Sequence, residues 1–153
     1  MFLLTHAAIG ATAIAAAGIA SPVGAFGLGW LTHYLADAVP HGDEAVGVWA
    51  RGPGGVRKLA AAAFADCGLI AMTLAIGYVF DRLSWPLAAA AVGATVPDFM
   101  LGFERIAGRR LFGPLGPFHE RLHNFLKIDF PLPVGLVAQG LLAVLLWWRL
   151  FGA

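Results

Sequence analysis

Apolar residues run along this chain in long blocks, and most of the ionisable residues collect between or at the ends of those blocks. Five stretches approach the ~20 apolar residues that a membrane-crossing helix needs. They are 2–20, 23–39, 59–80, 83–101 and 131–151, of which the second is the shortest. Pro22, Pro40 and Pro86 stand at the edges, where a missing N–H does least harm. Alanine and glycine crowd the first four stretches ("IGATAIAAAGIA", "LAAAAVGATV"), and small side chains let membrane helices approach closely. Between the fourth and fifth, "FHERLHNF" is only weakly apolar and reads as a short amphipathic helix. The pattern predicts an all-α fold: an integral membrane bundle of about five transmembrane helices, with a short amphipathic helix before the last, in a single domain over 1–153.

Composition supports this. Of 153 residues, 59% are hydrophobic and 12% charged, and the mean hydropathy of +0.78 lies outside the range of ordinary soluble domains. A net charge of +1 gives no basic surplus for nucleic acid, so none is expected as a partner. Cys67 is the one cysteine and forms no internal disulfide. The first stretch has small residues in "AAGIAS" that suit a signal-peptide cleavage site, but no lysine or arginine precedes it, so a retained helix is expected.

Charge then assigns sides. Threading five spans in order puts Arg51, Arg57, Lys58, Arg105, Arg109, Arg110, Arg121 and Lys127 on one face, and only Arg82 and Arg149 on the other. The positive-inside rule makes the first face cytoplasmic, together with the N-terminus. Tyr78, Trp85, Trp147 and Trp148 gather at the opposite ends, as an interfacial aromatic belt would.

The histidines and acids follow the same sidedness. His6, His33, His41, His119 and His123 all map to the cytoplasmic half, as does every acid except Asp81. A strongly polar side chain within the bilayer costs about 2.5–3.5 kcal/mol even on the lenient insertion scale, so such groups face the bundle interior with partners. His33 and Asp37, four apart, share one helix face. His119 and His123 repeat that spacing, and with Glu120 they form H-E-x-x-H, in which two imidazoles bind a metal and the glutamate acts as base. Asp98 follows Pro97 in "TVPDFMLGF", which suggests a helix end presenting its carboxylate. His6, His33, Asp37, Asp98, His119 and His123 are the expected metal ligands. Glu120 and Asp66 are the candidate proton acceptors, and zinc is the expected ion, with manganese or iron as alternatives.

Each of these residues has a plainer reading. His6 alone is a hydrogen-bonded core histidine; His33 with Asp37 is a polar pair at a helix end; "FHERLHNF" is a solvated surface helix. His41 and Asp43, past Pro40, are turn residues or accessory ligands. Asp66 either meets a hydroxyl or backbone group on a neighbouring helix or serves a cytoplasm-facing cavity or a second metal position. Arg109 and Arg110 are basic anchors or partners of a phosphate.

The segments "LLTHAAIGA", "LTHYLADAVPHGD", "GATVPDF" and "HERLHN" together resemble a bacterial inner-membrane family described as membrane-bound metal-dependent hydrolases, the group that includes the LexA-regulated inner-membrane protein. On that resemblance His6 corresponds to the family's early histidine, Asp98 to its P-D aspartate, His119 and His123 to its histidine-rich segment, and His33 with Asp37 to its H-x-x-x-D pair. The motif order diverges: the family's H-x-x-x-D pair comes late, and Asn124 stands where the family has serine or threonine. The resemblance implies a bacterial inner-membrane location and kinship with zinc-dependent phospholipase C.

Residues and resemblance together lead to one expectation: a metal-activated water at the cytoplasmic face hydrolyses a phosphoester of a lipid or nucleotide, with membrane lipids as surroundings. The alternatives are an H-E-x-x-H membrane metalloprotease, an ion or proton transporter, and a structural membrane protein without a transition metal.

Overall fold

A computed structural model of the chain describes residues 1–42, 52–123, 125, 126, 128 and 131–152. Among these residues there are seven helices and no strand: α1 Leu3–Ala17, α2 Pro22–Asp37, α3 Gly55–Val79, α4 Trp85–Gly93, α5 Val96–Ala107, α6 Leu115–His123 and α7 Leu132–Phe151. Arg51, Asn124, Lys127, Asp129 and the accessory candidate Asp43 lie outside the described residues.

Three helices are long and apolar enough to cross a membrane: Gly55–Val79, the α4–α5 unit Trp85–Ala107, and Leu132–Phe151. The first two of the five expected stretches form shorter helices, of 15 and 16 residues. Their ends have local causes. Gly18 takes the left-handed conformation (φ 64°) that ends α1, and its N–H reaches the Ile14 carbonyl. Ser21 caps α2 through the Gly24 N–H, with Pro22 in the first turn, where it has no donor to lose. The amphipathic segment expected before the last helix is α6.

The fourth stretch departs from expectation in a way that matters. It runs on to Ala107 but is interrupted at Ala94–Thr95, because Pro97 has no N–H to give the carbonyl four residues back. Asp98 therefore stands at a helix end, as expected, but in the first turn of a new helix rather than near the close of the fourth one. Its negative charge suits that N-terminus.

Helix α1 is central and packs on α2, α3, α4 and α7. The core around it is mostly alanine: Ala7, Ala8, Ala11, Ala25, Ala90, Ala91 and Ala143 are buried. Backbones meet directly where α2 crosses α4. A Cβ on Gly29 would collide with the Ala90 carbonyl, and one on Gly93 with the Phe26 carbonyl. Large apolar side chains point outward instead: Val23, Phe64 and Trp85 are each 83% exposed, an outer surface suited to hydrocarbon. Trp85 and Trp148 are exposed as an interfacial belt requires, whereas Trp147 is buried against the alanines of α1 and leaves the expected belt. Consecutive residues point about 100° apart on a helix, so Trp147 and Trp148 face different surroundings.

Replacing Gly29 with leucine is expected to destabilise the fold by about 3 kcal/mol, the upper end of overpacking penalties, since the obstacle is backbone. Gly27→Leu, where a side chain meets open space on the same helix, should leave the thermal unfolding midpoint in detergent unchanged or slightly raised.

Candidate metal centre

Three helices, α2, α5 and α6, bring His33, Asp37, Asp98 and His119 to one point near the end of the bundle where α1 begins. One donor atom from each lies within 4.8 Å of every other, so this largely buried group can hold a metal ion. The imidazole Nε2 atoms of His33 and His119 are 3.2 Å apart. Oδ2 of Asp37 lies 3.1 Å from the first and 2.8 Å from the second. Oδ1 of Asp98 lies 3.9 and 3.7 Å from the same two nitrogens. Nitrogen and oxygen donors of a tetrahedral zinc site, each 2.0–2.1 Å from the ion, stand about 3.3 Å from one another, and the observed spacings surround that value.

The tautomer of His33 follows from its partner. Nδ1 lies 2.8 Å from the carbonyl of Ala94, which can only accept, so Nδ1 carries the proton and Nε2 presents a lone pair. The interruption before α5 is what exposes that carbonyl. Hydrogen-bonding the far nitrogen to a carbonyl is the usual way a ligating histidine is oriented. The lone pair of His33 faces the Asp37 carboxylate and the Nε2 of His119, which donates to Oδ2 of Asp37 at 2.8 Å. A cation at this point replaces that one proton and neutralises the buried carboxylate. The side chains of His33, Asp37 and His119 are at most 2% exposed, while that of Asp98 is 25% exposed, so the group is open on the α5 side. A shallow cleft beside His119 is lined by Tyr34, Pro97, Met100, Phe112, Leu115 and His119.

His6 is fully buried and stacked on His33, with ring centroids 4.0 Å apart. Its Nε2 lies 3.1 Å from Oδ1 of Asp37 and 3.8 Å from Oδ2 of Asp98. The H-E-x-x-H string divides: His119 belongs to the group above, and His123 to a second one with Asp37 and His41. Glu120 is exposed on α6 and belongs to neither. Asp66 is placed on the start of α1, where Oδ1 accepts the Leu4 N–H at 3.2 Å. This is the plainer of its two readings, because Phe2 at the helix N-cap provides no side-chain acceptor.

Three residues that support the site escaped the sequence reading. Gln139 accepts the Phe2 N–H through Oε1 and donates through Nε2 to the His41 carbonyl, both at 2.7 Å. Its signal was there to read, as the one amide within the apolar stretch 131–151. Buried Glu104 accepts the N–H groups of Leu111 and Phe112 at 2.9 Å, and Gly116 of α6 packs directly on its carboxylate. It thereby seats the helix that carries His119. Tyr34 sets its ring edge-on to Phe118 and His119, and no spacing pattern marks it.

Asp66→Ala should lower stability by about 1–2 kcal/mol, as loss of a helix cap does, while Asp66→Asn keeps an acceptor for the Leu4 N–H and should lose little. Neither change should alter binding of Co²⁺, followed by the visible absorption of its four-coordinate complexes, whereas His33→Ala should abolish that absorption. Comparison of the chain with protein-family models, with curated proteins and with solved structures finds no match, so the geometry of the site is the ground on which a function is assigned.

Proposed function

We propose that this chain is a metal-dependent hydrolase of the bacterial inner membrane, related to the membrane-bound metal-dependent hydrolases, and that it cleaves a phosphoester of a lipid or nucleotide at the cytoplasmic face. The observation that carries the reading is the convergence of His33, Asp37, Asp98 and His119, with one lone pair fixed in direction by the Ala94 carbonyl. In this reading α1 and α2 complete a five-helix membrane bundle with the three longer helices, and zinc is the ion. When bound, such an ion lowers the pKa of its water to about 7 and polarises a phosphoryl oxygen.

The remaining roles belong to the chain. His33 and His119 hold the ion from the buried side, Asp37 balances its charge, and Asp98 completes the set on the open side. The mostly apolar surface beside His119 borders the non-polar part of the substrate. Exposed Arg109 and Arg110 shortly precede Phe112 of the cleft wall and meet phosphate oxygens. Glu120, exposed on the helix that presents His119, takes the proton. A protease of the H-E-x-x-H type needs both histidines on one ion, and here they belong to different groups.

The purified protein, stripped with a chelator and reloaded with Zn²⁺ or Mn²⁺, should hydrolyse bis(4-nitrophenyl) phosphate or a short-chain phospholipid only when loaded. His33→Ala should lower that rate at least ~100-fold, since even residues that merely orient a ligand cost 10–100-fold. Metal-loaded protein that turns over no phosphomonoester or phosphodiester would remove this function from consideration.

A further inference from the structure

The two oxygens of Asp37 are not shared at random among the surrounding nitrogens. His33 and His119 both approach Oδ2 of Asp37 and Oδ1 of Asp98. His6 and His41 approach the other oxygen of Asp37, Oδ1, at 3.1 and 3.8 Å, and His6 also approaches the other oxygen of Asp98, Oδ2. Asp37, His41 and His123 form a second group whose donor atoms lie within 4.8 Å of one another. The carboxylate of Asp37 therefore stands between two sets of imidazoles, one on each oxygen.

His41 repeats the orientation of His33. Its Nδ1 lies 2.6 Å from the Val39 carbonyl, so that nitrogen carries the proton and Nε2 presents its lone pair toward Asp37. The backbone of His41 is held in turn: Gln139 of α7 donates to its carbonyl, and Gly135 packs directly against the same group. His123 sets its ring against that of His41, with centroids 4.7 Å apart. His6 adds an independent sign. It is fully buried, and among the described residues neither ring nitrogen has a well-aligned hydrogen-bond partner, even though Nε2 lies 3.1 Å from Oδ1 of Asp37; such groups are almost always satisfied. The nitrogen of Met1 donates to Oδ1 of Asp37 at 3.3 Å and to Nε2 of His41 at 2.7 Å, so a donor already occupies the point where these groups meet.

Resting on the metal-centre reading above, we infer that the site is dinuclear: Asp37 bridges one ion on His33, His119 and Asp98 and a second on His41 and His123, with His6 beside the bridge. A cation at the second position displaces the Met1 nitrogen from Oδ1. The i, i+4 histidines of α6 then serve one ion each. Paired ions about 3.5–4 Å apart, clamping the attacking and leaving oxygens, are a recurrent arrangement in phosphoester hydrolysis.

The test uses the full-length protein in detergent, stripped of metal and titrated with Mn²⁺, with bound metal counted after equilibrium dialysis. The wild type is expected to take up two equivalents and give the broadened multiline electron paramagnetic resonance spectrum of exchange-coupled Mn²⁺. His41→Ala and His123→Ala should each retain one equivalent, with the six-line spectrum of an isolated ion. A wild type that binds one equivalent, insensitive to either substitution, overturns the dinuclear proposal and leaves the mononuclear hydrolase standing. Two equivalents retained in both variants overturn the ligand assignment. A wild type that binds none overturns both readings. Should the variants fail to fold, the wild-type spectrum decides: coupled ions support the proposal, and isolated ones reject it.

Discussion

A carboxylate with no exposed surface, set among imidazole nitrogens inside an apolar bundle, is the feature to which the rest of this molecule is arranged. Taking such a charge out of water costs several kcal/mol after relaxation, and only close positive charge or strong hydrogen bonds offset it. Asp37 receives neither lysine nor arginine among the described residues at its side chain. Its neighbours are the Met1 ammonium, 3.3 Å from Oδ1, and imidazoles, two of them with the proton fixed on the far nitrogen by a carbonyl. Neutral imidazole lone pairs converging on an anion repel it unless a proton or a cation stands between them. A proton and a metal ion would thus compete for the same point, and the packing of four helices maintains that point.

The backbone does much of this positioning. An uninterrupted helix would consume the carbonyl of Ala94 internally; the break before Pro97 turns it toward His33 and opens a new helix whose first turn contains Asp98. A second irregularity lies at the other wall. Helix α1 begins without a side-chain cap of its own, and its first N–H groups are satisfied from α3 by Asp66 and from α7 by Gln139. Those bonds place His6 in depth, one turn further along. Because Gln139 also binds the His41 carbonyl, a single amide ties the start of α1 to the segment that follows α2. Alanine and glycine at the crossings allow the backbones to come close enough for such short side chains to bridge them.

How much of this the sequence discloses depends on which geometry it encodes. Ionisable residues within long apolar stretches are costly, so their gathering at one end of the bundle was readable from the order of stretches and charges alone. The i, i+4 pairing of His33 with Asp37 was likewise readable, because both belong to one helix and its period fixes their relative direction. What periodicity does not encode is how a helix is rotated against its neighbours. His119 and His123 share a face of α6, yet Asp37 lies between their destinations, so equal spacing leads to different groups. Trp147 and Trp148 are adjacent and diverge for the same reason, one into the core and one outward. Asp66 looked chemical because it was an acid among apolar residues, while the need it meets, uncapped N–H groups on α1, arises only once α1 and α3 are packed. The shortness of α1 was visible only in part: Gly18 marks its end, but the stretch of apolar residues continues past that glycine.

The seating of α6 on Glu104 bears on how quickly the protein gives up what it holds. The two N–H bonds fix the segment just before this nine-residue helix, Gly116 packs on the same carboxylate and Phe118 and His119 pack on Tyr34, and the helix brings His119 and His123 to the two sides of Asp37. The other donors arise from larger elements that pack tightly on one another. Departure of α6 would uncover both positions at once, whereas no single side-chain rotation of α1 or α2 does so. Exchange of any ion held there would therefore follow the lifetime of the docked α6, and a buried centre of this kind can be thermodynamically ordinary while being kinetically slow to load and slow to empty.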